Sequence, residues 1–349
     1  MASDRLWDKA RMSAPARLRA LPTLLQLSQL FPKRKVVVVG DLVADHYIYG
    51  QTDRVSREAP VLVMRYESSE VKLGGAANAA ANVRSLGGQV TAVGILGQDE
   101  MGREMRRQFK AAGIRLLALA SRELETETKT RILAGGVNTT RQQMLRLDRG
   151  NASAGRGERQ SQVGRLLSQA ARDADAIVVS DYGGGTVGEE CHALLRSFAA
   201  KDVPVCVDSR YSLHRLTGLT ICKPNEPELQ SLTRMSIQSD RDLLEAGRMA
   251  VKLLDCQSLL VTRGRNGMAV FDRTGKAELI PVHGPEDAVD VTGAGDTVIA
   301  ALALSLGAGA TVLQAAQIAN VAGGLVVQKQ GTATVSQAEL QRELRQPNG

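Results

Sequence analysis

Short β-branched runs alternate along this chain with longer Ala- and Leu-rich stretches, and that alternation constrains its fold more than any other feature. The first run, at 35–41, reads Lys-Val-Val-Val-Val-Gly-Asp and ends in an acid. Others follow at 90–96, 173–181, 203–208, 219–223 and 258–262, separated by helical spacing at 74–86, 101–112, 187–200 and 240–254, with further helices at 294–306 and 311–328. Strand–helix–strand repetition at this spacing predicts an α/β fold, a doubly wound and mostly parallel sheet with helices on both faces. Two regions break the rhythm, at about 46–73 and 115–148. Their strand-like parts, 47–71 and 128–147, have turn residues and no helical period. They predict a small inserted β-sheet placed to act as a lid. The stretch at 151–159 reads as an exposed loop.

Charge and cysteine usage narrow the function classes. Residues 1–35 carry eight basic side chains against two acidic ones, six of the seven net positive charges of the 349-residue chain. The body is therefore nearly neutral, and only 3% of residues are aromatic, too few for single-strand stacking platforms. No nucleic-acid partner is expected. Residues 1–34 read as a basic, helical leader with Leu18, Leu21, Leu25 and Leu27 packing on the body, and 35–349 as one domain. No run has the 18 or so apolar residues of a membrane span, and the leader lacks the pattern of a secretory signal. Cys191, Cys206, Cys222 and Cys256 form no C-x-x-C pair, so a reducing cytoplasm is the expected compartment.

The stretch Asp290-Val-Thr-Gly293-Ala294-Gly295-Asp296 opens an apolar helix. Small residues there let backbone N–H groups converge, and with the helix dipole they suit a transferring phosphoryl group. Asp296 would then stand where it could take a proton from an attacking hydroxyl. The same residues also make an ordinary capped helix. Gly74-Gly75-Ala-Ala-Asn78 allows close backbone approach to a polyol. Asn225 and Glu228, three residues apart after a strand, suit Mg²⁺ on nucleotide phosphates, partly through water, or a simple helix cap. Thr262-Arg-Gly264-Arg-Asn-Gly267 ends another strand at the same predicted sheet edge, where open α/β sheets bind ligands. The four histidines show no metal spacing and read as structural or surface residues.

In this order and spacing, the glycine–asparagine helix start and the D-x-T-G-A-G-D turn resemble the PfkB-type, ribokinase-like carbohydrate kinases over roughly residues 35–345. The stretches at 54–61, 128–131, 141–148, 180–182, 290–299, 319–320 and 331–336 are similar to the group that phosphorylates D-glycero-β-D-manno-heptose 7-phosphate at its anomeric hydroxyl, in lipopolysaccharide-core precursor synthesis. In many bacteria that kinase is fused to a nucleotidyltransferase. This chain ends after the kinase, so a stand-alone kinase is expected, its product processed by another protein.

The resemblance implies ATP and Mg²⁺ as cofactors and leaves room for a monovalent cation. It makes Asp296 the general base and Gly293, Ala294 and Gly295 the anion hole. Asn225 and Glu228 would hold Mg·ATP, and Thr262, Gly264, Gly267 and Asn320 would surround the nucleotide. Asp41, Asp45, Gly74, Gly75 and Asn78 would hold sugar hydroxyls. A 7-phosphate calls for cations, and Lys72, Lys129, Arg131 and Arg141, in or beside the lid, are the candidates. Exposed strand edges on such an insertion imply a homodimer through the lid sheet. The chain departs from the family pattern at Ser180-Asp-Tyr182-Gly, which lacks a following lysine, at Asp208-Ser-Arg, where Asp-Pro-Lys is usual, and in the length of its leader.

Three rivals remain from the residues alone. One is a kinase of another sugar or sugar phosphate, such as ribose, fructose or fructose 6-phosphate. A second is a nicotinamide-dinucleotide enzyme, because Gly183-Gly-Gly185-Thr-Val-Gly188 fits G-x-G-x-x-G, with Asp208 about 20 residues on. The third is a non-catalytic sugar or nucleotide sensor.

Overall fold

The valine run at 35–40 forms an interior strand of a nine-stranded sheet. The computed structural model describes residues 22–136, 141–150, 156–285 and 288–345. In chain order the first half contains α1 (Leu24–Gln29), β1 (Lys35–Gly40), β2 (Leu42–Val55), β3 (Leu62–Gly75), α2 (Ala76–Ser85), β4 (Gln89–Gly97), α3 (Glu100–Ala111), β5 (Arg115–Ser121), β6 (Thr128–Gly135) and β7 (Gln142–Arg149). The second half contains α4 (Arg156–Ala170), β8 (Ala176–Asp181), α5 (Glu189–Ala199), β9 (Val205–Ser209), β10 (Ile221–Cys222), α6 (Glu226–Thr233), α7 (Asp240–Leu254) and β11 (Ser258–Thr262). It closes with β12 (Met268–Asp272), β13 (Ala277–Ile280), α8 (Ala294–Gly307), α9 (Val312–Val326) and α10 (Gln337–Arg345).

The large sheet has the order β13-β12-β11-β10-β9-β8-β1-β4-β5. It is parallel from β5 to β11, and β12 and β13 add antiparallel strands at one edge. In β1 the side chains alternate between two cores. Val36 and Val38 pack with α2, α8 and α9, whereas Val37 and Val39 pack with α4, α5 and α7. Both faces are covered, so the strand reads as an unbroken apolar run. This is the doubly wound arrangement the alternation predicts. Its parallel strands bring Asp41, Asp181, Asp208 and Thr262 to one carboxyl edge.

A second, four-stranded sheet, β3-β2-β6-β7, covers that edge. It corresponds to the expected lid, with one change of boundary. Residues 115–121, read from the sequence as lid, pair in parallel with β4 as the outer strand of the large sheet. Asp45, Tyr47 and Tyr49 of β2 share a register face with Lys72 and Glu70 of β3 and with Lys129 and Arg131 of β6. That face looks toward the body, since the Tyr47 hydroxyl meets Thr332 and Lys129 lies over the Tyr182 ring.

The leader falls partly outside the described residues, Leu18 and Leu21 included. Its last part, α1, docks on the body through fully buried Leu27, and Gln337 of α10 donates to the Ser28 carbonyl. Helix α4 begins at Arg156, inside the stretch expected to be a loop.

Candidate active site

Asp296 is the third residue of α8 and only 3% exposed. Its carboxylate accepts two hydrogen bonds, from Asn78 Nδ2 at 2.7 Å and from the Tyr182 hydroxyl at 3.0 Å. Burial pushes this carboxyl up to about 7, and the nearby negative charge of Asp208 adds to the rise. The bonds from Asn78 and Tyr182 and the charge of Lys223 oppose it. A carboxyl near 7 is matched to general-base work at neutral pH. Burial, then the charges of Asp296 and Asp208, hold the Tyr182 hydroxyl well above the ordinary tyrosine value, so it remains a donor.

The turn before Asp296 depends on glycine at one position. Gly293 has φ +78°, and a Cβ there would lie 2.6 Å from Asn78 Nδ2, so a side chain would displace the amide that holds the Asp296 carboxylate. The anion hole differs from expectation at Ala294, whose N–H donates to the Val291 carbonyl. Among the described residues, the N–H groups of Gly295 and Asp296 have no intramolecular acceptor, as the first turn of a helix leaves them.

Lys223, unassigned by the sequence reasoning, stands beside this hole. It is 4% exposed, pairs with Asp208 at 2.9 Å, and its Nζ would be 3.3 Å from a Cβ on Gly295. Burial alone would depress its ammonium, but Asp208, Glu228 and Asp296 outweigh that and keep it above the usual lysine value. Lys223 and Tyr182 gave no separable signal, because only the crossing of β8, β10 and α8 at one edge reveals what they touch.

Asn225 and Glu228 form a reciprocal cap on α6. Asn225 Oδ1 accepts from the Glu228 N–H at 2.8 Å, and Glu228 Oε2 accepts from the Asn225 N–H at 3.0 Å. The cap occupies one oxygen of each. Both residues still line a cleft of about 1170 Å³ with Lys223, Asp208 and Gly295. Burial raises the Glu228 carboxyl above its usual value, a penalty that a divalent cation would relieve. One half-buried carboxylate and one amide suit an ion held mainly by water and phosphate oxygens. No cluster of three His, Cys, Asp or Glu side chains suited to a metal occurs among the described residues.

Thr262, Gly264, Gly267 and Asn320 line an adjoining slot of about 270 Å³ with Val282, Val298 and Val327. It is narrow and largely apolar, and it meets the larger cleft at Thr262, Val291 and Gly295. The Asn320 amide donates to the Pro281 carbonyl at 2.7 Å and so fixes one wall of the slot.

The sugar-side residues divide. Asp41 does not face an open site as expected. Its carboxylate accepts from the backbone N–H groups of Tyr182, Gly184 and Thr186 at 2.7, 2.9 and 3.2 Å. This also removes the basis for a dinucleotide site, because an internal carboxylate occupies the place where the glycine loop would have to receive a pyrophosphate. Asp45 accepts from Arg131 at 2.6 Å and from Thr332 at 3.3 Å. Gly74 lies against it, since a Cβ there would be 2.4 Å from Asp45 Oδ2, and Gly75 leads from β3 into α2. Lys72 lies 3.4 Å from Glu70, and Arg141 lies 2.6 Å from Glu67. Lys129 differs: among the described residues no carboxylate is within ion-pair distance of it. Burial lowers its pKa, Asp45 pulls the other way, and Arg146 and Arg131 add to the lowering. Arg146 of β7, also missed from sequence, lies near this corner but is paired with Asp148 at 2.7 Å.

A doubly wound sheet with a β-sheet lid, a glycine turn and a buried carboxylate defines a sugar-kinase class of site, and comparison with known proteins agrees. The chain belongs to the pfkB family of carbohydrate kinases, whose model matches residues 33–339. It is 35% identical over 315 residues to the bifunctional protein HldE of Hydrogenovibrio crunogenus, covering 90% of this chain and 63% of that one. It is 40% identical over 322 residues to the bifunctional protein HldE of Shewanella amazonensis, covering 91% and 65%. The chain thus spans a little under two thirds of these relatives. Among solved structures it resembles Arabidopsis thaliana ribokinase complexed with ribose and ATP, with TM-score 0.70, 21% identity, and 90% and 99% of the two chains covered. It also resembles Escherichia coli phosphofructokinase-2 in complex with fructose-6-phosphate, with TM-score 0.71, 17% identity, and 89% and 97% covered. At these identities the structures speak for the fold. The chain is thus a member of the pfkB carbohydrate kinase family with a ribokinase-like fold.

Proposed function

We propose that this kinase transfers the γ-phosphoryl group of ATP to the anomeric hydroxyl of D-glycero-β-D-manno-heptose 7-phosphate, giving the 1,7-bisphosphate used in ADP-heptose and lipopolysaccharide-core synthesis in the cytoplasm. The observation that carries the reading is the buried Asp296 carboxylate beside the Gly295 and Asp296 N–H groups at the start of α8, which have no acceptor among the described residues. Asp296 takes the hydroxyl proton as the sugar oxygen bonds to the γ-phosphorus, and the bond to the β–γ bridging oxygen breaks to release ADP. Gly295 and Asp296 N–H, with Lys223, receive the charge of the transferring group. When bound, Mg²⁺ would neutralise nucleotide phosphates, and Asn225 and Glu228 would hold it through water. The valine-lined slot takes the adenine. A monovalent cation remains compatible with this reading.

The sugar assignment rests on the lid and on the relatives. Five cations, Lys72, Lys129, Arg131, Arg141 and Arg146, belong to its strands or the turn between them, a charge suited to a substrate carrying a phosphate dianion. Lys129, half-buried over the Tyr182 ring with no carboxylate in ion-pair distance among the described residues, is the strongest receiver. The relatives' name, bifunctional, fits the fusion known for heptose 7-phosphate kinases. ADP release measured with heptose 7-phosphate, dephosphorylated heptose, fructose 6-phosphate and ribose tests the assignment. The heptose phosphate should give the highest kcat/KM, and preference for an unphosphorylated sugar would refute it.

A further inference from the structure

Asn78 can serve the base only with its amide turned one way, and a buried chain of side chains sets that orientation. A carboxylate only accepts hydrogen bonds, so the amide nitrogen must face Asp296, as it does at 2.7 Å. The other end of the amide is held too. Asn82, one helical turn later on α2, donates from Nδ2 to Asn78 Oδ1 at 3.1 Å and to the Asn78 carbonyl at 3.1 Å. Asn82 is itself oriented, because Thr297 Oγ1 donates to Asn82 Oδ1 at 2.8 Å. Asn82 and Thr297 are fully buried, so water cannot take over either role. As bonded, Thr297 donates to Asn82, Asn82 to Asn78, and Asn78 to Asp296; the Asn78 backbone carbonyl helps to orient Asn82, and the Gly293 carbonyl, 3.4 Å from Thr297 Oγ1, is a second, longer acceptor for the threonine hydroxyl.

We infer that Asn82 and Thr297 are positioning residues of the phosphoryl-transfer site, which fix the Asn78 amide so that its N–H rather than its carbonyl meets Asp296. The inference rests on Asp296 being the base. Thr297 follows Asp296 on α8, so the relay leaves that helix, crosses α2 and returns one residue away. Without it the Asn78 amide is free to turn over and set its oxygen against the carboxylate, which favours the protonated and catalytically idle form. The other charged or titratable groups facing Asp296 are Tyr182, Asp208 and Lys223, and none of them touches Asn82 or Thr297.

The test compares Thr297→Val, Thr297→Ser and Asn82→Leu in the full chain, with thermal unfolding as a folding control. Valine keeps the shape of threonine and removes only the donor, and serine keeps the donor. Thr297→Val is expected to lower kcat about tenfold with KM for ATP and sugar within twofold, and to move the acid limb of the pH–rate profile up by about one unit. Thr297→Ser should restore both. Asn82→Leu, if it folds, should show the valine phenotype more strongly. A Thr297→Val enzyme with unchanged kcat and acid limb overturns the inference, as does a serine variant no better than valine. A ¹³C carboxyl titration of Asp296 reads the same shift without turnover. It therefore separates failure of the relay from failure of Asp296 as base, which Asp296→Asn tests independently.

Discussion

Asp296 accepts from one amide and one phenol in a pocket that admits little water, and its chemistry follows from that. Asp296→Asn should lower kcat by about a thousandfold, within the range general-base groups contribute, while calorimetry finds ATP affinity nearly unchanged. With Asp296 in its proposed role as a base that acts deprotonated, the wild-type rate should rise about tenfold per unit below pH 7 and level off above it. The same shift acts on stability. The folded carboxyl sits at about 7 against an ordinary value of 3.8, so the native state keeps a proton that the unfolded chain has lost between those values. That contribution is complete below about pH 4 and disappears as pH rises through about 7. Urea unfolding at pH 5 and pH 8 should show the wild type losing stability relative to Asp296→Asn over that interval.

At the scale of elements, the α6 cap and the lid pair invite separate tests. Asn225→Ala should cost about 1 kcal/mol of stability through the lost cap and also raise the Mg²⁺ concentration needed for half-maximal rate. A stability loss with unchanged Mg²⁺ dependence would leave Asn225 as a cap alone. Removing Arg131 leaves Asp45, only 6% exposed, without its ion partner, a change expected to destabilise by about 3–5 kcal/mol in thermal or urea unfolding. Much at this scale was legible in advance. The apolar runs of β1, β8 and β11 announce buried parallel strands, and the two glycine-rich helix starts announce α2 and α8. Arg115–Ser121 was misplaced because its alternating Leu and Ala residues suit an edge strand of either sheet. Asp41 was misassigned because an acid ending a strand looks the same in sequence whether it meets a ligand or its own chain's amides. Here the loop after β8 folds back onto it.

For the whole molecule, the lid leaves apolar side chains uncovered on its outer strands and their ends. Val61, Leu62 and Tyr66 lie in or beside β3, and Leu145 and Leu147 on β7, all about half exposed or more. Such edges favour pairing with a second copy, so light scattering should give about twice the 37.3 kDa chain mass, and Leu145→Lys with Leu147→Lys should reduce it to one. The partition of the site is also a whole-molecule property. Helix α8 and the carboxyl edge of the large sheet carry Asp296 and the valine-lined slot, and the lid carries Lys72, Lys129 and Arg131. On the proposed function, the charge of the substrate's far end is read by an element separate from the one that carries the chemistry. The most direct test of this account is ³¹P NMR of the product made from heptose 7-phosphate and ATP by wild type and by Asp296→Asn. A new phosphate on the anomeric oxygen, formed by the wild type and absent with the variant, is the predicted result. Phosphorylation at another hydroxyl, or an undiminished product from Asp296→Asn, would contradict it.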